Sequence, residues 1–277
     1  MYECLKGLEP ARVFELFGEL CRIPHGSKNE KAISDYICRF CEDRGLEVWQ
    51  DEAYNLIIKK DATPGYENAP TVILQAHLDM VCEKAAGCEK DMDREGLDLA
   101  VDGDYVYAKG TTLGGDDGIA VAMAMAVLDA DDLPHPRVEA VFTTDEEIGL
   151  LGAAVLDVSP LKGRKMLNLD SEAEGIFTVS CAGGNTSTCA LPVSREHFDG
   201  TALTIRVEGL TGGHSGAEIH KGRANANMTL GRVLQAAAKH SALRIQSVAG
   251  GLKDNAIPVA SKACVVAADA AAVKAAA

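Results

Sequence analysis

The hydrophobic and polar positions divide the chain into helical and extended segments. Residues 10–21 carry apolar side chains at helical spacing and read as an amphipathic helix. In the next segment Ile33, Ile37, Phe40 and Cys41 form a helical apolar stripe. Ser27-Lys28-Asn29-Glu30 ahead of it has the form of a capping box, and Gly45 stands where a C-terminal cap belongs. Short strands are expected at Val48 to Gln50 and Asn55 to Lys59. The near-continuous apolar run Val72 to Ala76 predicts a strand buried on both faces. A helix is predicted over Ile119 to Ala130, after the turn Gly114-Gly-Asp-Asp-Gly118, with further strands at Val138 to Thr143 and Met166 to Leu169. Strands separated by helices predict an α/β fold with a mainly parallel sheet.

The pattern changes near Cys181-Ala-Gly-Gly184. Beyond it Leu203, Ile205 and Val207 alternate with Thr204, Arg206 and Glu208, as in a strand with one wet face. A helix at about Ala224 to His240 follows, then strands near Leu243 to Val248 and Lys262 to Val266, and Asp269 is placed to cap one more Ala-rich helix. This second part reads as a two-layer, antiparallel α+β module whose last helix has barely begun. Two domains are therefore expected, residues 1–184 and residues 185–277, each incomplete.

Composition narrows the functional classes. The chain has 277 residues, 47% hydrophobic and 25% charged, the profile of an ordinary soluble globular protein. Its formal charge of −14 repels phosphate backbones, so no nucleic-acid partner is expected. The start has neither a basic region nor an apolar run, so no secretory signal is expected. The most apolar stretch, around Ile119 to Leu128, is too short to span a bilayer, so no membrane association is expected either. Nine cysteines without framework spacing fit reduced thiols and a cytoplasmic location. Cys38 and Cys41 lie on the helical stripe and have no second pair to complete a metal knot.

The chemistry lies at the predicted strand ends. His77-Leu-Asp79 follows the first buried strand, Asp145-Glu-Glu147 the second and Asp170-Ser-Glu172 the third. In open α/β sheets ligands gather at the carboxyl ends of strands. A first-row metal site needs imidazole and carboxylate donors on rigid backbone. His77 and Asp79 are two apart, so on an extended chain they point the same way. Asp116 sits in a Gly-rich turn, and Glu146 and Glu147, being neighbours, face different directions at a strand end. Taken singly, a strand-end His, a Gly-Asp turn or a Glu pair is ordinary structure; their joint placement at consecutive strand ends points to a site.

The runs Gln75-Ala-His77-Leu-Asp79-Met80, Thr111-Thr-Leu-Gly-Gly-Asp116-Asp-Gly118, Thr144-Asp-Glu146-Glu147-Ile-Gly149 and Leu169-Asp170-Ser171-Glu172 resemble the zinc-site motifs of the M20 metallopeptidases, in the aminoacyl-histidine dipeptidase branch. The resemblance implies a catalytic domain of the zinc-peptidase type and a lid of the dimerisation type, hence a homodimer through the lid. It implies two Zn2+ ions, with Co2+ or Mn2+ as substitutes, and dipeptide substrates of broad specificity, including Xaa-His. His77 and Asp170 would hold one zinc, Glu147 the other, and Asp116 would bridge them, with the peptide bond after it often cis. Asp79 would orient His77, and Glu146 would be the general base. Leu210-Thr-Gly-Gly-His214-Ser-Gly216 and Gly250-Gly-Leu-Lys-Asp-Asn255-Ala-Ile-Pro258 resemble lid segments, so His214 and Asn255 would meet substrate. His25, His135, His197, His220 and His240 carry no motif and read as structural or surface residues. Members of the family are longer, returning to the catalytic domain with a final zinc-binding His that no residue here matches, so the resemblance implies a C-terminally truncated member. Two alternatives stay open: an amidohydrolase of N-acyl amino acids, and a non-catalytic remnant that binds metal or peptide.

Overall fold

The computed structural model describes residues 2–171, 175–181, 183, 185, 187–253 and 255–276. Glu172, which closes the fourth motif, and Gly184, the expected boundary, lie outside the described residues. The chain divides into two compact units, one up to Ile176 and one from Phe177 onward.

In the first unit a short 3-10 turn, Glu3–Leu5, precedes α1 (Ala11–Leu20) and α2 (Lys31–Glu42). The end of α2 follows from Gly45, whose φ of 67° lets the chain reverse. The Gly45 amide donates to Glu42 and the Leu46 amide to Cys41, the paired bonds of a Schellman cap. The beginning differs from the capping-box expectation: Glu30 occupies the cap position in a helical conformation and no side chain caps the helix.

The strands are β1 (Glu47–Gln50), β2 (Leu56–Lys60), β3 (Val72–His77), the hairpin β4 (Leu99–Asp102) and β5 (Tyr105–Ala108), and, after α3 (Gly115–Asp129), β6 (Val138–Thr143). A short α4 (Leu151–Val155) leads to β7 (Lys165–Asn168). The main sheet has the order β1-β2-β6-β3-β7. β6 pairs in parallel with β3, and β3 with β7, whereas β2 runs antiparallel to both its neighbours. Four strands thus share one direction.

The strand buried at every position is β6, not β3, whose Val72, Leu74 and Gln75 are half-buried. β6 lies at the middle of the sheet, and Phe142, Leu16, Ile33, Ile37, Leu56 and Met125 join a core between the sheet and α1, α2 and α3. On the opposite face Ile57, Ile73 and Val141 form a small buried apolar cluster, with Leu156 and Leu161 packed against it. Glu139 is buried within β6 because its carboxylate accepts bonds from the Lys162 and Gly163 amides and from Arg137. At the edge, all of β7 is exposed, Met166 to 60% and Leu167 to 48%.

The second unit is a three-stranded antiparallel sheet of order β8-β10-β9, formed by β8 (Thr201–Val207), β9 (Leu243–Gly250) and β10 (Ser261–Ala267). One face is packed by α5 (Ala226–Ala238) and α6 (Ala270–Ala276), with Leu230, Ala237, Ala263, Val265 and Val273 buried between them. Asn225 caps α5 by accepting from the Met228 amide, and Asp269 caps α6 by accepting from Ala271 and Ala272.

Candidate metal centre

Parallel pairing brings the strand ends to one edge. His77 is in register with Thr143, so Asp145, Glu146 and Glu147 emerge beside it. On the other flank Asn168 is in register with Gln75 and the Leu169 amide donates to the Gln75 carbonyl, so Asp170 emerges at the same level. Asp116 arrives from the start of α3, where it departs from helical dihedrals; its peptide bond to Asp117 is cis. The turn needs glycine: Gly114 has φ 66°, and a Cβ there would lie 2.7 Å from the Met80 sulfur.

The donors then fall into groups. His77, Glu146 and Asp170 each offer one ligand atom within 4.8 Å of the others, and so do His77, Asp116 and Glu147. Asp116, Asp117 and Asp170 form a third such group. Imidazole and carboxylate oxygens are the donor set of a zinc-type site, so the residues present fit a bound metal.

His77 is 1% exposed. Its Nδ1 lies 2.9 Å from the Asp79 carbonyl and 3.4 Å from the Asp79 carboxylate, and its Nε2 lies 2.9 Å from Asp116 Oδ1. A ring flanked by acceptors at both nitrogens holds two protons. Burial opposes that charge, but the Asp79 hydrogen bond and the charge of Asp117 outweigh it and raise the His77 pKa to about 10. With Nδ1–H held by Asp79, Nε2 is the nitrogen open to a metal.

Asp79, equally buried, is the hub of the site. Its carboxylate accepts from the Ser27 hydroxyl at 2.8 Å, the Glu146 amide at 2.9 Å and the Glu147 amide at 3.2 Å. Burial favours its neutral form, but bonds from His77, Glu146 and Ser27 prevail and its pKa falls. The raised carboxyls surround it. Burial, with Asp170 and Asp116 nearby, pushes Asp117 to about 7 against the His77 amide it accepts at 3.1 Å. Glu146 and Glu147 are raised by burial first, then by neighbouring carboxylates, with His77 acting the other way.

Three participants have no prediction from the sequence: Asp117, Ser27 and Glu30. The Ser27–Glu30 segment reads as a helix cap, but the Ser27 and Glu30 side chains turn to the site. Glu30, buried, accepts the Asp145 amide at 3.0 Å, and the Lys28 amide donates to Asp145 at 2.8 Å. Burial, opposed by the Asp145 amide and reinforced by the Asp145 carboxyl, raises Glu30 to about 7.

In the second unit His214 and Asn255 line one cavity of about 600 Å³, with Leu252, Ile257 and Val259. The Ser215 amide donates to the Asn255 carbonyl at 2.8 Å. His214 Nδ1 accepts from the Gly216 and Ala217 amides, both at 3.0 Å, so its neutral ring carries the proton on Nε2.

No family model matches the sequence. The chain is 40% identical over 258 residues to cytosol non-specific dipeptidase of Escherichia coli (strain K12), across 92% of this chain and 53% of that protein. Its fold superposes on aminoacylhistidine dipeptidase from Vibrio alginolyticus with a TM-score of 0.69 and 39% identity, over 95% of this chain and 54% of that one. The chain belongs to the M20 metallopeptidase family. This M20 chain spans about half the length of those two relatives. Aminopeptidase PepT from Bacillus cereus, 20% identical with a TM-score of 0.52, shares the fold. Among the described residues of this M20 chain, no helix is long and apolar enough to cross a membrane.

Proposed function

We propose that this chain acts in a cytoplasmic, metal-dependent dipeptidase of broad specificity, with Xaa-His among its substrates. The observation that carries the reading is the convergence of Asp79, Asp116, Asp117, Glu146, Glu147 and Asp170 around the single imidazole of His77. The dipeptidase names of its two relatives, at 40% and 39% identity, supply the substrate class.

His77 and Asp170 would hold one zinc, Glu147 the other, and Asp116 both. When bound, the metals supply Lewis-acid polarisation of the scissile carbonyl and acidify a water. Glu146, its pKa raised by burial, takes the proton of the attacking water and delivers it to the leaving amine. Asp79 holds the His77 Nδ1–H, fixing ring and tautomer. His214, with its proton on Nε2, would donate to the developing oxyanion, and Asn255 would bind substrate. A homodimer through the second unit belongs to the same proposal, supported by edge strand β9, whose Ile245 and Val248 are more than half exposed.

The alternative reading is a metal- and peptide-binding protein without turnover. Elemental analysis paired with hydrolysis assays of dipeptides and N-acyl amino acids separates the readings. Two zincs with dipeptide turnover support the first. One zinc or none without hydrolysis supports the second, and preference for N-acyl amino acids replaces both with a deacylase.

A further inference from the structure

The turn Ser27–Glu30 has three connections that a helix cap would not make. Ser27 Oγ donates to Asp79 Oδ2, the Lys28 amide to Asp145 Oδ1, and Glu30 Oε1 accepts the Asp145 amide. Through Asp79, the first continues to the Glu146 and Glu147 amides. Gly26 and Met80 form a parallel bridge just beside it, and the Met80 amide donates to His25, which ties the turn to the end of β3 as well. The bonds of Ser27, Lys28 and Glu30 end on residues 79 or 145, the two positions that flank the donors, while the Asn29 side chain donates to the Asp93 carbonyl.

The backbone they hold is unusual. Asp145 has φ 51° and Lys28 φ 70°, both in the left-handed region that non-glycine residues seldom occupy. Neighbouring glutamates diverge by default, and the bonds from the Glu146 and Glu147 amides to Asp79 fix the peptide planes that set each direction. From this we infer that the Ser27–Glu30 turn is a positioning element for the acid loop 145–147. It sets the directions of Glu146 and Glu147, acting through Asp79 and through the Asp145 amide. Ser27 and Glu30 touch neither substrate nor metal in this scheme. The inference rests on the roles proposed above for the two glutamates.

The test uses the whole chain and the variants Ser27→Ala, Glu30→Ala and Glu30→Gln. Amide exchange at Glu146 and Glu147 is followed by NMR, and Zn2+ affinity by competition with a chromogenic chelator. Glutamine keeps an acceptor oxygen for the Asp145 amide while removing the charge. Ser27→Ala and Glu30→Ala are expected to speed exchange at both amides about tenfold and to weaken zinc about 10–100-fold, while Glu30→Gln stays near the unaltered protein. Exchange unchanged within about twofold in folded Ser27→Ala and Glu30→Ala overturns the inference, and so does a Glu30→Gln variant as impaired as Glu30→Ala. If Glu30→Ala does not fold, Ser27→Ala decides. If the unaltered chain takes up no zinc, the proposed function fails, and the amide-exchange comparison still decides the positioning role.

Discussion

Zinc binding to this chain at pH 7.5 is expected to expel the proton from His77 Nε2. In the metal-free protein that proton lies between Nε2 and Asp116 Oδ1, 2.9 Å apart, and the ring titrates at about 10. A group with that pKa holds its proton at pH 7.5 by ~3 kcal/mol, which the metal must overcome. Two consequences can be measured. Calorimetric titration in buffers of different ionisation enthalpy should give a slope of about one proton released per zinc at the His77 site, with fractions added by the raised carboxyls. Zinc affinity should rise about tenfold per pH unit from 7 toward 10 and level off above it. The stability of the metal-free chain follows the opposite course. The folded pKa of His77 lies above its ordinary 6.5, so the stabilisation is complete below 6.5 and is lost as pH rises through 10. Asp79→Asn removes the strongest of the groups that raise His77 and should reduce both slopes. A proton release near zero at pH 7.5, with zinc bound, would refute the reasoning, because it would mean that the metal-free imidazole is already neutral.

Glu146→Ala is expected to keep the metal content of the unaltered protein while dipeptide turnover falls about 10²–10⁴-fold, measured by elemental analysis beside a hydrolysis assay. Glu139→Ala removes the acceptor of the Lys162 and Gly163 amides and one of the two carboxylate partners of Arg137, and should lower stability by about 1–3 kcal/mol in urea titration. Gly114→Ala sets a Cβ 2.7 Å from the Met80 sulfur at a φ of 66° and should cost roughly 1–3 kcal/mol in thermal or urea unfolding, with weaker zinc uptake.

The strands at Val138 to Thr143 and Val72 onward were legible because buried runs are short, apolar and sharply bounded. Gly45 was legible because the reversal after α2 has a single good residue type. The gathering of His77, Glu146, Glu147 and Asp170 was readable for a related reason: parallel strands deliver whatever follows them to one edge. Less local facts were not readable. Which strand lies deepest depends on sheet order, and β6 outranks β3 only because it lies between β2 and β3. Ser27 and Glu30 fit a cap pattern in sequence, yet their bonds go to partners 52 and 115 residues away. The β4–β5 hairpin was missed although its signal was present, alternation around a turn at Gly103, where φ is 57°.

The exposure of β7 has a consequence for how the centre opens. Asp170 follows an edge strand whose four residues are all exposed, whereas His77 and the glutamates follow strands anchored in the core. The free energy of local opening is therefore lowest on the Asp170 side. A metal held there would act as a clasp on the sheet margin, joining a loose strand to a rigid one. Its removal should free that margin first, seen as faster deuterium uptake at residues 165–171, while β6 and the helices behind it stay closed. The ion and the fold would then be coupled over a few residues, and the melting of the whole unit would register little of it.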